Sequence, residues 1–466
     1  MSERASGRAT GKVLLNRRII VGVCGGIACY KAADLVSKLQ QAGALVDVIM
    51  TERAEEFVRP LTFAALSHRP VYSDLWQAAE HAAELHIELA RAAELLAIVP
   101  ATANTLAKLA HGIADNLLTA VALATRAPLL LAPAMDAEMY EHPATQANLA
   151  LLRERGAHIV PPEVGHLASG AIGPGRLPET AHLLGAVRWL LGRTGDLAGR
   201  RVVVTAGGTR EPLDPVRFLG NRSSGKMGFA LAAEALARGA QVRLISAPTA
   251  LTPPYGAEFE EVETALQMLE AVRNAVATAD VLVMNAAVAD FRPATPVPRK
   301  IKKEELGSHA SEEAGAPVQA KEELTLRLVR NPDILQELAH LSAVPTEPQA
   351  TALTQQASDA ARSAEVSGAS LSRSSDRSAR PHRLIRVGFA AETHDVLSYA
   401  RQKLAQKGLD LLVANDITRP DSGFGSDTNK VYICHADGGL EELPVMPKEE
   451  VAAAIWDRIV PLLGTN

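Results

Sequence analysis

Two glycine-rich turns in this 466-residue chain each come directly after an apolar run and directly before a helical pattern. The stronger one is formed by residues 205–211 and 221–228, which follow the apolar run 202–204. A similar turn lies at residues 25–27. The first backbone N–H groups of a helix are unpaired and lie at the positive end of its dipole, and glycine lets an anion approach them closely. The chain therefore has two candidate phosphate-binding sites of the nucleotide type.

Further candidate site residues follow the next strand patterns of the first half. Residues 100–105 and 133–136 come after apolar runs, and in an open parallel sheet ligands bind at the edge where the strands end. Residues 165–176 contain four glycines, which is typical of a flap that closes over a site. His86 precedes one of these strands. A lone histidine is more often structural than catalytic, so the pattern alone leaves both roles open.

The first turn favours a mononucleotide over a dinucleotide. It lacks the G-x-G-x-x-G spacing of the dinucleotide fingerprint, and the next strand ends in Met50 and Thr51 rather than in an acidic residue. NAD is therefore disfavoured, and with it an NAD-linked dehydrogenase. A mononucleotide such as FMN remains open.

Length and composition favour two α/β domains. The chain is too long for one core, and an aromatic content of 4% suits parallel sheets flanked by helices. The order of strand, glycine turn and helix recurs after residue 195, so we predict two Rossmann-like parallel-sheet domains, a flavodoxin-like one at 18–195 and a second at 196–466. Residues 1–17 are expected to be a disordered leader. The polar stretches 304–322 and 341–383 have too few apolar residues for a core and are expected to be disordered insertions.

Charge, hydropathy and cysteine content argue against several classes of protein. The formal net charge is −5 with acids and bases interspersed, which does not provide the basic stripe that nucleic-acid binding requires. No apolar run reaches the length of a membrane span, and the first residues contain no apolar signal core, so we expect a cytoplasmic protein without membrane contact. Three cysteines are too few for a disulfide framework, and we expect Cys24, Cys29 and Cys434 to be buried, reduced thiols.

The motifs of both halves resemble those of known enzyme families. The first half is similar to the flavin-dependent cysteine decarboxylases at residues 23–31, 85–87, 100–105, 114–118 and 133–139. The second half is similar to phosphopantothenate–cysteine ligases at residues 205–211, 221–228, 286–290, 300–303, 331–334 and 388–393. In this order, the two halves resemble the bifunctional phosphopantothenoylcysteine synthetase/decarboxylase family of bacterial coenzyme A biosynthesis.

This resemblance implies two reactions on one chain. The ligase half would join cysteine to 4′-phosphopantothenate with CTP and Mg²⁺, through an acyl-cytidylate. The decarboxylase half would then convert phosphopantothenoylcysteine to 4′-phosphopantetheine with FMN, because oxidation of the thiol to a thioaldehyde supplies the electron sink that the carboxylate lacks. Members of the family are oligomers, so the resemblance also implies a homo-oligomer.

The resemblance implies roles for individual residues of the first half. His86 and Ser169 would be catalytic, whereas Asp136, Met139 and Arg176 would bind the substrate. The residues implied in FMN binding are Gly25, Gly26, Ile27, Thr51, Thr102, Asn104, Asp115 and Asn116.

In the second half, the resemblance makes Asn221 and Lys300 catalytic. Asp290 would hold Mg²⁺, since a hard cation prefers carboxylate oxygen. The residues implied in substrate binding are Arg217, Ala286, Asp290, Asn331, Pro332, Asp333, Ile334, Phe389, Lys403 and Lys407. Lys403 and Lys407 are four residues apart and are expected on one face of a helix, where a shared phosphate target or a solvated basic surface would each explain them.

Two residues depart from the familiar pattern of the first half. Asp136 replaces the asparagine of Pro-Ala-Met-Asn, and a carboxylate there would repel a substrate carboxylate unless it is protonated or has another partner. Ser169 aligns with the flap cysteine of the family, and a hydroxyl is a much weaker acid than a thiol. We expect decarboxylation to be retained. Two alternatives are a ligase-only enzyme, whose first half is a flavin-binding or assembly module, and a non-catalytic flavoprotein that binds a partner.

Overall fold

In a computed structural model, the chain is described at residues 13–75, 84–301, 325–342, 383–392, 396–416, 423 and 425–464. The predicted insertion 304–322 lies outside these residues, and so does 341–383 except for its first two residues and its last. Residues 1–12 of the predicted leader lie outside them as well. Residues 13–17 form a turn in which Leu14 is buried in the core of the first domain, so the prediction that a disordered leader extends to residue 17 is wrong.

The first domain is a parallel sheet flanked by helices. Its strands are β1 (Arg18–Val23), β2 (Leu45–Met50), β3 (Val71–Tyr72), β4 (Leu95–Ala101), β5 (Leu129–Pro133), β6 (His158–Ile159), β7 (Glu163–His166) and β8 (Ile172–Arg176). Its helices are α1 (Cys29–Gln41), α2 (Pro60–Ser67), α3 (Leu85–Ala92), α4 (Ala103–His111), α5 (Leu117–Ala124), α6 (Ala137–Glu141), α7 (Pro143–Glu154) and α8 (Thr180–Gly192). Six strands form the sheet in the Rossmann order β3-β2-β1-β4-β5-β6, whose switch point lies between β1 and β4. Strands β7 and β8 form a separate antiparallel hairpin.

The second domain repeats this plan with a larger sheet. Its strands are β9 (Arg201–Ala206), β10 (Arg210–Pro212), β11 (Phe218–Gly220), β12 (Gln241–Ser246), β13 (Glu258–Glu261), β14 (Val281–Met284), β15 (Phe291–Pro293), β16 (Leu328–Arg330), β17 (Ile385–Glu392), β18 (Leu411–Asp416), β19 (Thr428–Asn429), β20 (Val431–His435), β21 (Leu440–Glu442) and β22 (Met446–Pro447). Its helices are α9 (Lys226–Ala237), α10 (Ala265–Val276), α11 (Ile334–Ser342), α12 (Val396–Gln406) and α13 (Lys448–Ile459). The main sheet has the order β13-β12-β9-β14-β17-β18-β20-β21 and is parallel up to β18, after which β20 and β21 run antiparallel.

Both faces of each main sheet are buried. In β1, Ile19 packs into one core and Ile20 into the core on the other face. In β9, Val202 and Val203 are divided between two cores in the same way. Burial on both faces explains why these strands read as continuous apolar runs rather than as alternating patterns. The predicted α/β class with parallel-sheet domains is confirmed. None of the described helices combines the length and the apolar character needed to cross a bilayer.

The two domains contact each other through α8 and α9. A Cβ atom on Gly192 would lie 1.9 Å from the carbonyl oxygen of Ala237, so glycine is required for this close approach. Nearby, a guanidinium nitrogen of Arg188 in α8 lies 2.9 Å from a carboxylate oxygen of Glu234 in α9. The domains are therefore joined by directly packed helices as well as by the chain that connects them.

Candidate active sites

The first candidate site lies at the carboxyl ends of β1, β2, β4 and β5. The backbone N–H of Thr51, after β2, donates to the carbonyl of Val23 at the end of β1 (2.9 Å). Thr102 caps α4, because its side-chain oxygen accepts the backbone N–H of Thr105, so this helix begins at the same edge. The predicted residues on the turns that meet at this edge are Gly25, Gly26, Ile27, Thr51, Thr102, Asn104 and Asp136.

The turn after β1 leaves room for a ligand. A Cβ atom on Gly26 would have no neighbouring atom within 4 Å, whereas one on Gly25 would lie 2.7 Å from the backbone carbonyl carbon of Arg53. Ile27 is 65% exposed, and Met139 in α6 is 51% exposed. Open space in front of a glycine turn at the switch point of a parallel sheet fits a mononucleotide.

The three cysteines are free and buried, which confirms the prediction. Burial raises the pKa of the Cys24 thiol to about 11. The sulfur of Cys24 donates to the hydroxyl of Thr105 (3.2 Å). A protonated, buried thiol is a poor nucleophile, so the cysteines beside the first turn do not supply a reactive group.

The predicted flap is the hairpin of β7 and β8, which packs against the residues that follow β5. The backbone N–H of Met135 donates to the carbonyl of Gly175 (3.1 Å). A Cβ atom on Gly175 would lie 2.1 Å from the carbonyl oxygen of Met135, and one on Gly173 would lie 2.7 Å from the Cβ of Ala137. These two glycines therefore allow the hairpin to lie directly on the loop.

Asp136 and Ser169, the two departures from the family pattern, contact each other. The hydroxyl of Ser169 donates to Oδ2 of Asp136 (2.5 Å), and Oδ1 of Asp136 accepts the backbone N–H of Glu138 (3.2 Å). These hydrogen bonds lower the pKa of the Asp136 carboxyl, so it is ionised at neutral pH. Of the two possibilities that the sequence left open for Asp136, the structure shows the second, a partner other than the substrate.

Arg176, at the end of the flap, pairs with a carboxylate of its own domain. Its guanidinium contacts Glu179, which also lies 3.0 Å from the amine of Lys31. The Lys31 amine, largely buried, donates in addition to the carbonyl of Leu177 (2.8 Å). Lys31, and then Arg176, lower the pKa of Glu179. Arg176 therefore anchors the flap in this state, and binding of a substrate anion would require it to exchange partners.

His86 and the pair Asp115 and Asn116 lie at or next to the starts of helices rather than on the turns that follow the strands. His86 is the second residue of α3, which returns the chain from the end of β3 to the start of β4, so it lies at the helix end nearer the carboxyl edge. Asp115 and Asn116 lie beyond the opposite end of α4 from its cap. Asp115 pairs there with Lys108 (2.7 Å), and Asn116 forms a capping box with Thr119 at the start of α5. This pair therefore does not lie on the turns that directly follow the strands.

The second candidate site is built around the loop that follows β14. The buried hydroxyl of Thr205, in β9, accepts the backbone N–H groups of Asn285 and Ala286 (both 3.1 Å). The buried hydroxyl of Thr209 accepts the backbone N–H of Ala289 (2.9 Å). The hydroxyl-rich turn after β9 therefore holds the predicted substrate loop in place.

A pocket of about 140 Å³ opens in front of the N-terminal end of α9. Gly225, which precedes the helix, has a φ of 78°, a left-handed conformation that favours glycine. The pocket is lined by Ser223, Ser224, Lys226, Ala286, Phe389 and Lys448, among others. It is smaller than the roughly 300 Å³ of a typical small-molecule site, so it fits a phosphate or part of a substrate in this state.

Lys226 and Lys448 are pocket residues for which the sequence analysis predicted no role. The amine of Lys226 donates to the carbonyl of Gly425 (2.9 Å) and to the carboxylate of Asp427 (2.6 Å). The amine of Lys448 donates to backbone carbonyls at residues 423 and 426, and burial, followed by the charge of Lys226, lowers its pKa. The position of Lys226 directly after a glycine at a helix start is a signal that could have identified it. Lys448 has no comparable local signal.

Asp290 and Lys300 are both exposed. Asp290 directly precedes β15 and lies six residues beyond β14, so it is on a loop rather than at the end of a strand. Arg217 donates to the carbonyl of Ile301 (2.6 Å) and to Asp214 (3.0 Å), which fixes the segment that carries Lys300. Burial raises the pKa of Asp214, but hydrogen bonds from three backbone N–H groups outweigh this effect and hold it well below its usual range.

No group of three or more histidine, cysteine or acidic side chains in the described parts of the chain could hold a metal ion. Asp290 is therefore a single exposed carboxylate rather than part of a preformed metal site. Asn221, the other predicted catalytic residue, donates through its side-chain amide to the carbonyl of Ala287 (3.0 Å), within the loop that Thr205 and Thr209 hold.

The segment around Asn331 lies beside Asp290. The backbone N–H of Asn331 donates to the carbonyl of Asp290, and its side-chain amide donates to the carbonyl of Ala289 (both 2.8 Å). Two residues further on, a carboxylate oxygen of Asp333 lies 3.0 Å from the amine of Lys407. The structure thus joins three segments that the sequence analysis assigned to one site.

Four other predicted residues, two in this segment and two at the end of α12, have different surroundings. Pro332 is half-buried, whereas Ile334 is 3% exposed and belongs to the core. Helix α12 ends at Gln406, so the prediction that Lys403 and Lys407 lie within one helix is wrong for Lys407. Lys407 still follows the turn directly, because its backbone N–H donates to the carbonyl of Lys403 (3.0 Å).

Both domains place a glycine-rich turn, the start of a helix and polar side chains at the carboxyl edge of a parallel sheet, which is the arrangement of nucleotide-binding α/β enzymes. Comparison with known families makes this class more specific. The Flavoprotein family matches residues 8–192, and the family of DNA/pantothenate metabolism flavoprotein C-terminal domains matches residues 197–363 and 370–462.

Similar proteins cover nearly the whole chain. The coenzyme A biosynthesis bifunctional protein CoaBC of Bacillus subtilis is 43% identical over 97% of this chain and 98% of its own length. The protein of the same name from Escherichia coli is 40% identical over 96% of this chain and 97% of its own length. Among solved structures, the C-terminal domain of a CoaBC protein is 33% identical and covers 58% of this chain and 98% of its own, with a TM-score of 0.40.

The chain belongs to the family of coenzyme A biosynthesis bifunctional proteins CoaBC. The family predicted from the sequence is thereby confirmed. The function predicted with it, an enzyme of coenzyme A biosynthesis that pairs a flavoprotein decarboxylase domain with a ligase domain, is confirmed as well.

Proposed function

We propose that the second domain joins cysteine to 4′-phosphopantothenate with CTP, through an acyl-cytidylate, and that the first domain decarboxylates the product to 4′-phosphopantetheine with FMN. The observation that carries this proposal is that each domain has its own phosphate-type turn at the carboxyl edge of its own sheet. Family membership over both domains supports the pairing of the two activities.

In the second domain, the pocket before α9 suits an anionic group of a substrate. Its serine hydroxyls and the start of the helix can donate hydrogen bonds, and Lys226 and Lys448 add positive charge. Phe389 at the pocket wall offers an apolar surface for a base or an acyl chain.

CTP carries about four negative charges, which the lysines predicted for this site would offset. One ion pair at about 4 Å contributes from about 1 kcal/mol in water to about 4 kcal/mol at an effective dielectric constant of 20. Lys300 is exposed, and Lys407 would have to leave Asp333 to reach a phosphate. Asp290 fits Mg²⁺ that arrives with the nucleotide, since this ion is usually held by one or two carboxylates together with substrate phosphates.

In the first domain, the open space before Gly26, the helix start at Thr102 and the adjacent turns fit FMN. FMN, when bound, would take up the two electrons released as the substrate thiol is oxidised to a thioaldehyde, which makes loss of CO₂ possible, and would return them to the decarboxylated enethiol to give the thiol product. We assign His86, at the carboxyl-edge end of α3, as the base or electrostatic partner in this step. The flap of β7 and β8 would exclude water from the substrate.

We also propose that copies of the chain assemble, with Asp115 and Asn116 of one copy completing the FMN site of another. The exposed position of Asp115, in the loop between α4 and α5, supports the proposal. Ile113 and Leu123, near the pair, are 49% and 66% exposed. Sedimentation of the flavin-loaded enzyme should show an oligomer, and N116A should release flavin. A flavin-loaded monomer would contradict this assignment.

Mass spectrometry of the products tests both reactions. The purified protein, with its bound flavin recorded, is given 4′-phosphopantothenate, cysteine, CTP and Mg²⁺. Formation of 4′-phosphopantetheine together with CMP is the expected result. Accumulation of phosphopantothenoylcysteine would instead support the ligase-only alternative, and absence of CMP would overturn the proposal for the second domain.

Two substitutions test whether the two reactions take place at separate sites. H86N should stop formation of 4′-phosphopantetheine while cysteine-dependent CMP release continues, and D290N should stop CMP release while added phosphopantothenoylcysteine is still decarboxylated. E337Q removes an exposed carboxylate from the same domain as Asp290 and serves as its control. Loss of both activities in either single variant would contradict the assignment of residues to separate sites.

A further inference from the structure

We infer that Asp136 and Ser169 form a latch that holds the flap against α6, and that Ser169 is a positioning residue that acts through Asp136 rather than the proton donor to the reacting substrate. This inference rests on the proposed function of the first domain. It concerns the two positions at which the chain departs from the pattern of its family.

The latch is the contact at the turn of the hairpin. The backbone bond between Met135 and Gly175 and the packing of Gly173 on Ala137 hold β8. Ser169 lies in the turn between β7 and β8, and its hydroxyl reaches Asp136, the cap of α6. Hydrophobic burial of the strand side chains contributes little, because Val164 and Ile172, the large apolar residues of the two strands, are 72% and 70% exposed. The polar contact therefore determines whether the turn of the flap stays closed.

The direction of the hydrogen bond excludes proton donation from this pair while the latch is closed. A serine hydroxyl has a single proton, and at 2.5 Å it is donated to the Asp136 carboxylate. The ionised carboxylate has no proton to donate. The proton that completes the reaction must therefore come from water or from another group at the site.

The two residue types also depend on each other. An ionised aspartate needs a strong donor, and a serine hydroxyl supplies one, whereas a thiol is a weak donor whose thiolate the carboxylate would repel. Asp136 and Ser169 are thus expected to behave as one unit when they are substituted.

Hydrogen–deuterium exchange of the flavin-loaded, full-length enzyme tests the latch. D136A and S169A should each raise exchange of the flap amides, residues 163–176, by about tenfold, which corresponds to about 1.4 kcal/mol. The double variant D136A/S169A should exchange no faster than the faster single variant. E138A, which removes an exposed carboxylate from the same helix, should match the wild type. Additive effects of D136A and S169A, or an equal effect of E138A, would overturn the latch.

Steady-state decarboxylation of phosphopantothenoylcysteine tests the positioning role. S169T keeps a hydroxyl and should retain most activity. S169C should lose activity about as far as S169A, and S169C in the D136N background should recover it. If S169C alone is faster than the wild type, Ser169 lies at the position of a proton donor and the inference is wrong. If the wild type forms no 4′-phosphopantetheine, the proposed function fails, while the exchange experiment still decides on the latch.

Discussion

Replacement of Thr205 by valine should selectively impair ligation. The two side chains have nearly the same shape. Valine, however, has no oxygen to accept the hydrogen bonds that the backbone N–H groups of Asn285 and Ala286 donate to the Thr205 hydroxyl. The side chain of Thr205 is fully buried, so no surface water takes its place. T205V therefore removes the acceptor for two donors at the start of the loop that carries the predicted substrate residues.

The magnitude follows from the cost of an unsatisfied donor. Each buried donor that loses its acceptor costs about 1–3 kcal/mol. Asn285 and Ala286 are only half-buried, so we expect the lower end for both together, about 2 kcal/mol. A displacement of the loop with this free energy corresponds to a decrease of roughly 30-fold in the population with the site intact.

Cysteine-dependent release of CMP, measured under kcat/KM conditions, is the assay. T205V should lower it by roughly 10- to 30-fold, while decarboxylation of added phosphopantothenoylcysteine by the first domain stays at the wild-type rate. T278V, which changes an exposed threonine of the same domain, is the matched control. Ligation by T205V within twofold of T278V would refute the view that this hydroxyl positions the loop.

Three further predictions concern stability and the flap. Arg238 is 6% exposed and pairs with three carboxylates, so R238M should lower the free energy of unfolding by about 3–5 kcal/mol, whereas R243M, which breaks more exposed pairs, should cost under about 1 kcal/mol in urea unfolding. Burial raises the pKa of Glu234. Because the folded state then binds the proton more tightly than the unfolded state, the free energy of unfolding decreases as pH rises through this pKa. The loss of stability caused by R238M should therefore be smaller at lower pH, where Glu234 is protonated. G175A should slow decarboxylation at least about tenfold and spare CMP release, because its Cβ would lie 2.1 Å from the Met135 carbonyl oxygen. Equal losses in both arginine variants, a pH-independent penalty, or unchanged decarboxylation by G175A would contradict these predictions.

The sequence was most informative about strands whose apolar residues end where their pairing ends. The strand Gln241–Ser246, for example, is paired with β9 over its whole length, and its pairing ends where its apolar residues end. Strands β17 and β18 continue past their last large apolar residues, Phe389 and Val413, to Glu392 and Asp416, because the two strands stay paired there. These extensions are formed by backbone pairing of alanine and polar residues, which a pattern of large apolar residues does not indicate.

In the candidate sites as well, local features could be predicted from the sequence and contacts between distant segments could not. Turns next to a strand, such as the one at Gly25, could be placed at the sheet edge from the pattern alone, since parallel strands end together. The contact between Asp136 and Ser169 depends on how a hairpin folds back over a loop, and the role of Lys448 depends on burial beside a lysine far away in the chain. Such contacts arise from tertiary packing, so the spacing of residues in the sequence does not indicate them.

The close packing of α8 on α9 has a consequence for the passage of material between the two reactions. Because Gly192 lies against the backbone of Ala237, the first domain cannot swing on a tether towards the second without breaking a helix contact. The two sheet edges of one copy therefore keep a fixed separation, and the product of ligation must cross that distance as a free molecule. Its transit is then governed by diffusion rather than by the motion of a carrier domain.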